Sequence, residues 1–146
     1  MSNYIDVIKN QDVLVIEWRG KLAHFRDIST TLNALSLPVP PRPTIIEALG
    51  YAMGLLEKEY TNIFSTQNCN IAIEPMSENV KSMDIINYIN SKVGNANANV
   101  SVQNLHEKNN GYVRYWLYIQ HKDKEVLGEL EHIVKMLAET EEIKSI

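Results

Sequence analysis

Lys21, His24, Phe25 and Arg26 fall within six consecutive residues, and Ser29, Thr30 and Thr31 follow directly. An ammonium, an imidazole, an aromatic ring and a guanidinium so close together form a set that can hold a polyanion. Arg forks onto a phosphate, a ring can stack on an unpaired base, and hydroxyls add donors. The charge distribution agrees. Residues 19–42 carry Arg19, Lys21, Arg26 and Arg42 against Asp27 alone, a net +3, while the whole chain is −4 and the remainder therefore −7. Each charge acts over about 8–10 Å, so a basic loop on an acidic body can still contact phosphate. The competing reading is a solvated loop that happens to be basic, with Phe25 buried as its anchor.

A second set lies on 111–120. Val113, Tyr115, Leu117 and Ile119 alternate with Tyr112, Arg114, Trp116 and Tyr118. One face can serve a core. The other combines three rings with a guanidinium, which suits base stacking at about 1–3 kcal/mol per base or packing beneath a loop. Acid–base groups exist at Lys21, His24, Tyr51, His121 and Lys122, but general acid–base work needs groups within hydrogen-bond reach, and no spacing here imposes that. The histidines and Cys69 have no zinc-ligand spacing, and no Walker, Rossmann or Gly-x-Ser-x-Gly pattern occurs. Catalysis and cofactors are not expected. Cys69, in Asn-Cys-Asn-Ile-Ala-Ile, reads as a packed strand residue.

The elements that must position these groups follow from periodicity. The pattern predicts strand 12–18, a long loop and helix 44–58. Strand 69–75, a helical or irregular stretch 81–93, strands 99–106 and 111–120, and helix 123–139 complete the order. Thr44 and Glu47 have capping-box spacing after Pro38-Val-Pro-Pro-Arg-Pro43. Ile45, Leu49, Ala52, Met53 and Leu56 share one helical face, with Gly50 and Gly54 beside it for tight helix–sheet packing. Val126, Leu127, Leu130, Ile133, Val134 and Leu137 point inward from the last helix. Glu-Lys-Asn-Asn-Gly reads as a hairpin turn between strands 99–106 and 111–120, and Asn95–Asn99 as a flexible connector.

The composition, with 45% apolar and 22% charged residues over 146 positions, is that of one globular domain, 1–146. Nothing approaches the roughly 18 apolar residues of a membrane span, and Met-Ser-Asn-Tyr-Ile-Asp lacks a signal peptide's charged start. A single cysteine fits a reducing cytoplasm. The β-α-β…β-α order predicts an α+β, ferredoxin-like (RRM-like) fold with a long basic loop after its first strand. The chain ends a few residues past helix 123–139, so the expected fold lacks its last strand. A bare sheet edge there invites a partner or self-association.

The order Gly20, Ala-His-Phe-Arg (23–26), Thr30-Thr31, Ser36, Pro38-Val-Pro-Pro-Arg42, Thr44, Gly50, Met53-Gly54 resembles the N-terminal signature of the CRISPR-associated Cas-five family. These are RAMP-type subunits of type I Cascade complexes. The match is close over 12–56 and faint over 69–75 and 99–120. The resemblance implies the same fold and a non-catalytic subunit holding the 5′ handle of the CRISPR RNA beside Cascade backbone and large subunits. His24, Phe25, Arg26 and Arg42 carry the RNA role over, with Lys21, Thr30, Thr31, Arg114 and Trp116 as further expected contacts. Some relatives cleave precursor RNA with a Tyr, Lys and His set. Family members are usually longer, so a second implication is an anti-CRISPR mimic that enters the complex and leaves it defective. The short end and the acidic balance motivate it.

Overall fold

The computed structural model describes residues 12–31, 33–90 and 96–144. Strand β1 (Val13–Gly20) leads through the 21–41 segment into helices α1 (Arg42–Ala52) and α2 (Glu57–Ile63). Strands β2 (Cys69–Pro75), β3 (Asn79–Asn90), β4 (Ala96–Glu107) and β5 (Val113–His121) follow, then helix α3 (Lys124–Lys144). The chain is thus mixed α+β. The strands form a three-stranded sheet, β1-β5-β2, and a two-stranded one, β3-β4. The described residues gather into two compact units, the first within 1–18, 42–74 and 116–146, the second within 19–41 and 75–115.

In the first unit, α1, α2 and α3 cover one face of the sheet. Ile45, Leu49, Phe64, Cys69, Leu117, Ile119, Leu127 and Leu130 form its core, with Leu14, Ile16, Trp18, Ile71 and Ile73 packed against them. This is the burial expected of strands whose alternate side chains face a helical layer. β2 runs antiparallel to β5. The Lys122 N–H donates to Asn68 O at 3.0 Å, Asn70 Nδ2 donates to Gln120 Oε1 at 3.2 Å, and Tyr118 Oη donates to Glu74 Oε2 at 2.6 Å.

The predicted helix 44–58 is two helices. α1 opens at Arg42, with Pro43 in its first turn where no N–H is needed, so Thr44 lies inside the helix and is not its cap. The chain leaves α1 through Gly54, whose φ of +69° is left-handed. The Leu55 N–H reaches back to Gly50 O at 2.9 Å, a Schellman-type closure. Half of a capping box stands instead at α2, where the Leu56 N–H donates to Glu59 Oε2 at 2.7 Å. Leu56, expected inward, is 73% exposed because it starts the second helix, and Leu137 is 55% exposed beyond the buried part of α3.

Gly50 packs against the next helix and not against the sheet. A Cβ there would stand 2.6 Å from Tyr60 Cβ and inside the ring's envelope. Gly50→Ala is therefore expected to lower stability by about 1–3 kcal/mol, although alanine is the better helix former. Urea unfolding should show Tyr60→Ala, which removes Cγ and Cδ1, making the loss from Gly50→Ala smaller than in the parent background. Equal stability of Gly50→Ala and the parent would contradict the close approach.

In the second unit, β3 and β4 pair antiparallel over their full length, from Asn79 opposite Glu107 to Asn90 opposite Ala96. The stretch expected as helical or irregular from residue 81 is thus strand to Asn90, because cross-strand pairing decides what local propensity leaves open. Residues 91–93 of that stretch lie outside the described residues. Of the connector expected at 95–99, Asn95 also lies outside them, and Ala96–Asn99 belong to β4. The Glu107–Gly111 turn joins strands of different sheets and does not close a hairpin. Glu107 Oε2 accepts the Asn109 and Gly111 N–H groups at 2.8 and 2.7 Å, and Asn110 takes a φ of +60°.

Candidate nucleic-acid interface

The 20–37 segment is ordered in detail. It folds on itself, the Asp27 N–H donating to Leu35 O at 2.9 Å and the Leu37 N–H to Phe25 O at 2.7 Å. Both limbs then bond to β4: Ala23 and Leu105 exchange N–H···O bonds of 3.0 and 2.8 Å, and the Gln103 N–H donates to Ala34 O at 2.8 Å. Gln103 is the hub. Its carbonyl accepts His24 Nδ1–H at 2.6 Å, and its side-chain oxygen accepts the Ser36 N–H at 3.1 Å. Ser36, 3% exposed, accepts the Phe25 N–H at 2.9 Å through Oγ and donates to Leu37 O.

This scaffold sorts the expected site residues. Phe25, expected as a stacking ring, is 8% exposed and stands edge-on to Tyr115, ring centroids 5.8 Å apart. Its ring is thus a loop anchor, and Tyr115 closes the same cluster by donating from Oη to Pro38 O at 2.7 Å. His24 is half-buried with Nδ1 committed, which leaves Nε2 as the ring's remaining polar atom. Thr30 Oγ1 donates to Asp27 O at 2.9 Å, and Ser29 donates through both N–H and Oγ to Asp27 Oδ1 at 2.9 and 2.6 Å. Those Ser29 bonds, the side-chain one first, hold the Asp27 carboxyl below its usual value. These hydroxyls shape the turn before they can serve a ligand.

Arg26 and Thr31 are exposed. Among the described residues the Arg26 guanidinium has no hydrogen bond or ion pair, although its backbone is fixed opposite Ser36. Lys21 Nζ lies 4.3 Å from the Tyr112 ring centroid and donates to Asn110 O at 3.2 Å, and the Arg19 guanidinium lies over the same ring at 5.4 Å. Arg114 belongs to this unit too, its N–H donating to Ser77 Oγ at 2.8 Å.

Arg42 and Trp116 belong to the other unit. Arg42 Nη2 donates to Phe64 O and Cys69 O at 2.8 and 2.9 Å, so this guanidinium ties the start of α1 to the end of α2 and the start of β2. Trp116 is half-buried, edge-on to Tyr118 at 6.4 Å, on the sheet face opposite the helices. Of the acid–base candidates, His121 is 9% exposed. Its Nε2–H donates to Ile63 O at 2.7 Å, and Nδ1 accepts the Asp123 N–H at 2.9 Å. Burial pushes the Cys69 thiol up, with Arg42 opposing it, as befits a packed residue. No three potential metal ligands converge among the described residues.

Arg19, Tyr112 and Gln103 were not singled out as contacts from the sequence. Only the alternation Arg19-Gly-Lys21 at the end of β1 and the exposed phase of Tyr112 hinted at the pair, and nothing marked Gln103.

No protein-family model matches the chain, and no curated protein matches it. Among solved structures it is similar to a chain in a cryo-EM structure of the type III-B Cmr-beta bound to cognate target RNA. The two are 21% identical with a TM-score of 0.47, over 86% of this chain and 54% of that one. This chain spans about half the length of that neighbour. Among the described residues no helix is long and apolar enough to cross a membrane.

Proposed function

We propose that this protein is a non-catalytic, Cas-five-like RAMP subunit that holds the 5′ handle of a CRISPR RNA within a type I Cascade complex. The observation that carries the reading is the exposed Arg26 guanidinium, without a partner among the described residues, on a loop limb whose backbone is paired on both sides of it. A fixed backbone beneath a free cation is a preorganised phosphate contact, because little order remains to be imposed on binding. The Ala-His-Phe-Arg and Pro-x-Pro-Pro-Arg pattern supports the family assignment. The order β1-β5-β2, with helices on one face, supports a ferredoxin-like core into which the β3-β4 ribbon is inserted. The non-catalytic part of the proposal is supported by His121, whose two ring nitrogens both serve the scaffold.

Arg26→Ala is expected to weaken binding of the repeat-derived 5′ handle by about 1–3 kcal/mol. The affinity should also depend less steeply on salt, since one counterion-releasing contact is lost. Fluorescence anisotropy across a salt series measures both. Unchanged affinity and slope in a folded variant would remove this loop from RNA binding.

A further inference from the structure

Tyr112, 45% exposed, holds two cations from a neighbouring strand end: Lys21 Nζ at 4.3 Å and the Arg19 guanidinium at 5.4 Å from its centroid. Like charges repel, so gathering an ammonium and a guanidinium on one ring has a cost that the ring's negative face offsets only in part. An acidic neighbour would ordinarily settle the remainder. Among the described residues neither cation has an ion pair. Glu107, in the turn beneath the pair, directs its carboxylate to the backbone N–H groups of Asn109 and Gly111 and not to either cation.

The support beneath the pair is also built. Asn110 O, the acceptor for Lys21, is set by the Asn110 left-handed φ of +60° and by Glu107 clasping the turn at Asn109 and Gly111. Gly111 leaves room for that clasp, since a Cβ there would stand 2.8 Å from Glu107 Oε2 and displace the carboxylate. Lys21 keeps two ammonium donors after its bond to Asn110, and Arg19 keeps its whole donor fork. Two positioned cations with spare donors and no ion pair among the described residues make a site for a phosphodiester, which can accept from both.

We propose that Arg19, Lys21 and Tyr112 form a clamp for the phosphodiester backbone of single-stranded RNA, with Tyr112 serving to position the cations and not to stack on a base. This rests on the RNA-binding reading above and extends the bound strand beyond the Arg26 contact. The clamp reads backbone charge, so it is indifferent to base identity.

The test uses the full chain and labelled single-stranded RNAs, the repeat-derived handle and oligo-A and oligo-U of equal length, titrated over a salt series. Arg19→Gln and Lys21→Gln are each expected to lower the slope of log affinity against log salt by about 0.7, and their combination by about twice that. The loss should be alike for all three RNAs. Tyr112→Leu should reduce affinity severalfold through misplacement of both cations, while Tyr112→Phe, which keeps the ring, should bind as the parent does. All three positions of change are exposed, and circular dichroism checks each fold.

An unchanged salt slope in Arg19→Gln/Lys21→Gln, with Arg26→Ala still impaired, would overturn the clamp and leave the RNA reading standing. A loss confined to one base composition, or a Tyr112→Phe defect equal to that of Tyr112→Leu, would also overturn it. If the parent protein binds none of the RNAs, both readings fall together.

Discussion

Arg42→Ala is expected to lower the free energy of unfolding by about 3 kcal/mol while leaving RNA affinity of the folded protein unchanged. The signature places Arg42 among the RNA contacts. In the structure its Nη2 bridges Phe64 O and Cys69 O, two carbonyls at the seam between helix α2 and strand β2. A hydrogen bond from a charged donor contributes about 1.5–3 kcal/mol, and truncation leaves both acceptors to find water beside a packed core. Urea unfolding together with anisotropy on the same samples separates the two roles. Parent-like stability with weakened handle binding would return Arg42 to the RNA, as the family pattern implies.

Phe64→Ala should have the largest effect of any single truncation, about 3–5 kcal/mol. The side chain is 0% exposed, sits in the core cluster of the first unit and stands edge-on to His121, centroids 6.0 Å apart. Its removal opens a cavity and loosens the wall against which His121 is held to Ile63 O. Domains of this size are stable by only about 5–15 kcal/mol, so the variant should melt far below the parent. Phe64→Leu, which fills most of the space, should lose much less. A thermal melt comparing the two decides it, and similar melting temperatures for parent and Phe64→Ala would contradict the packing described.

Strands β1, β2 and β5 could be read from the sequence because each has one face against helices, and burial on one face writes a period of two into the residues. Val113, Tyr115, Leu117 and Ile119 are all buried to 3% exposure or less, and Tyr112 stands on the other phase. Strand β3 could not be read that way. Met83, Ile85 and Ile86 are 49%, 72% and 49% exposed, so its two faces are not distinguished by burial, and its state rests on pairing with β4, a partner 16 residues away where Ile85 faces Ser101 and 28 where Asn79 faces Glu107. The break between α1 and α2 was hidden for a different reason. Apolar spacing continues through Met53 and Leu56, and only the left-handed φ of Gly54 shows the chain turning.

The candidate site divides along the same line. By itself the sequence determined that a basic, hydroxyl-rich segment follows the first strand, that Cys69 is packed, and that an apolar and an aromatic phase alternate on the fifth strand. These are properties of residue type and local period. Only the tertiary structure decided which cations are spent and which are free. Arg26 and Arg42 are the same side chain in the same basic segment, yet Arg42 ends beside two carbonyls of the core and Arg26 ends exposed, with no partner among the described residues. Phe25 and Tyr112 differ likewise, one ring buried against Tyr115 and the other gathering Arg19 and Lys21. A hydrogen bond or a ring contact depends on where residues distant in the chain are brought, and for these groups that is set by Gln103, Asn110 and the carbonyls of Phe64 and Cys69, none of which lies in the segment whose chemistry they decide.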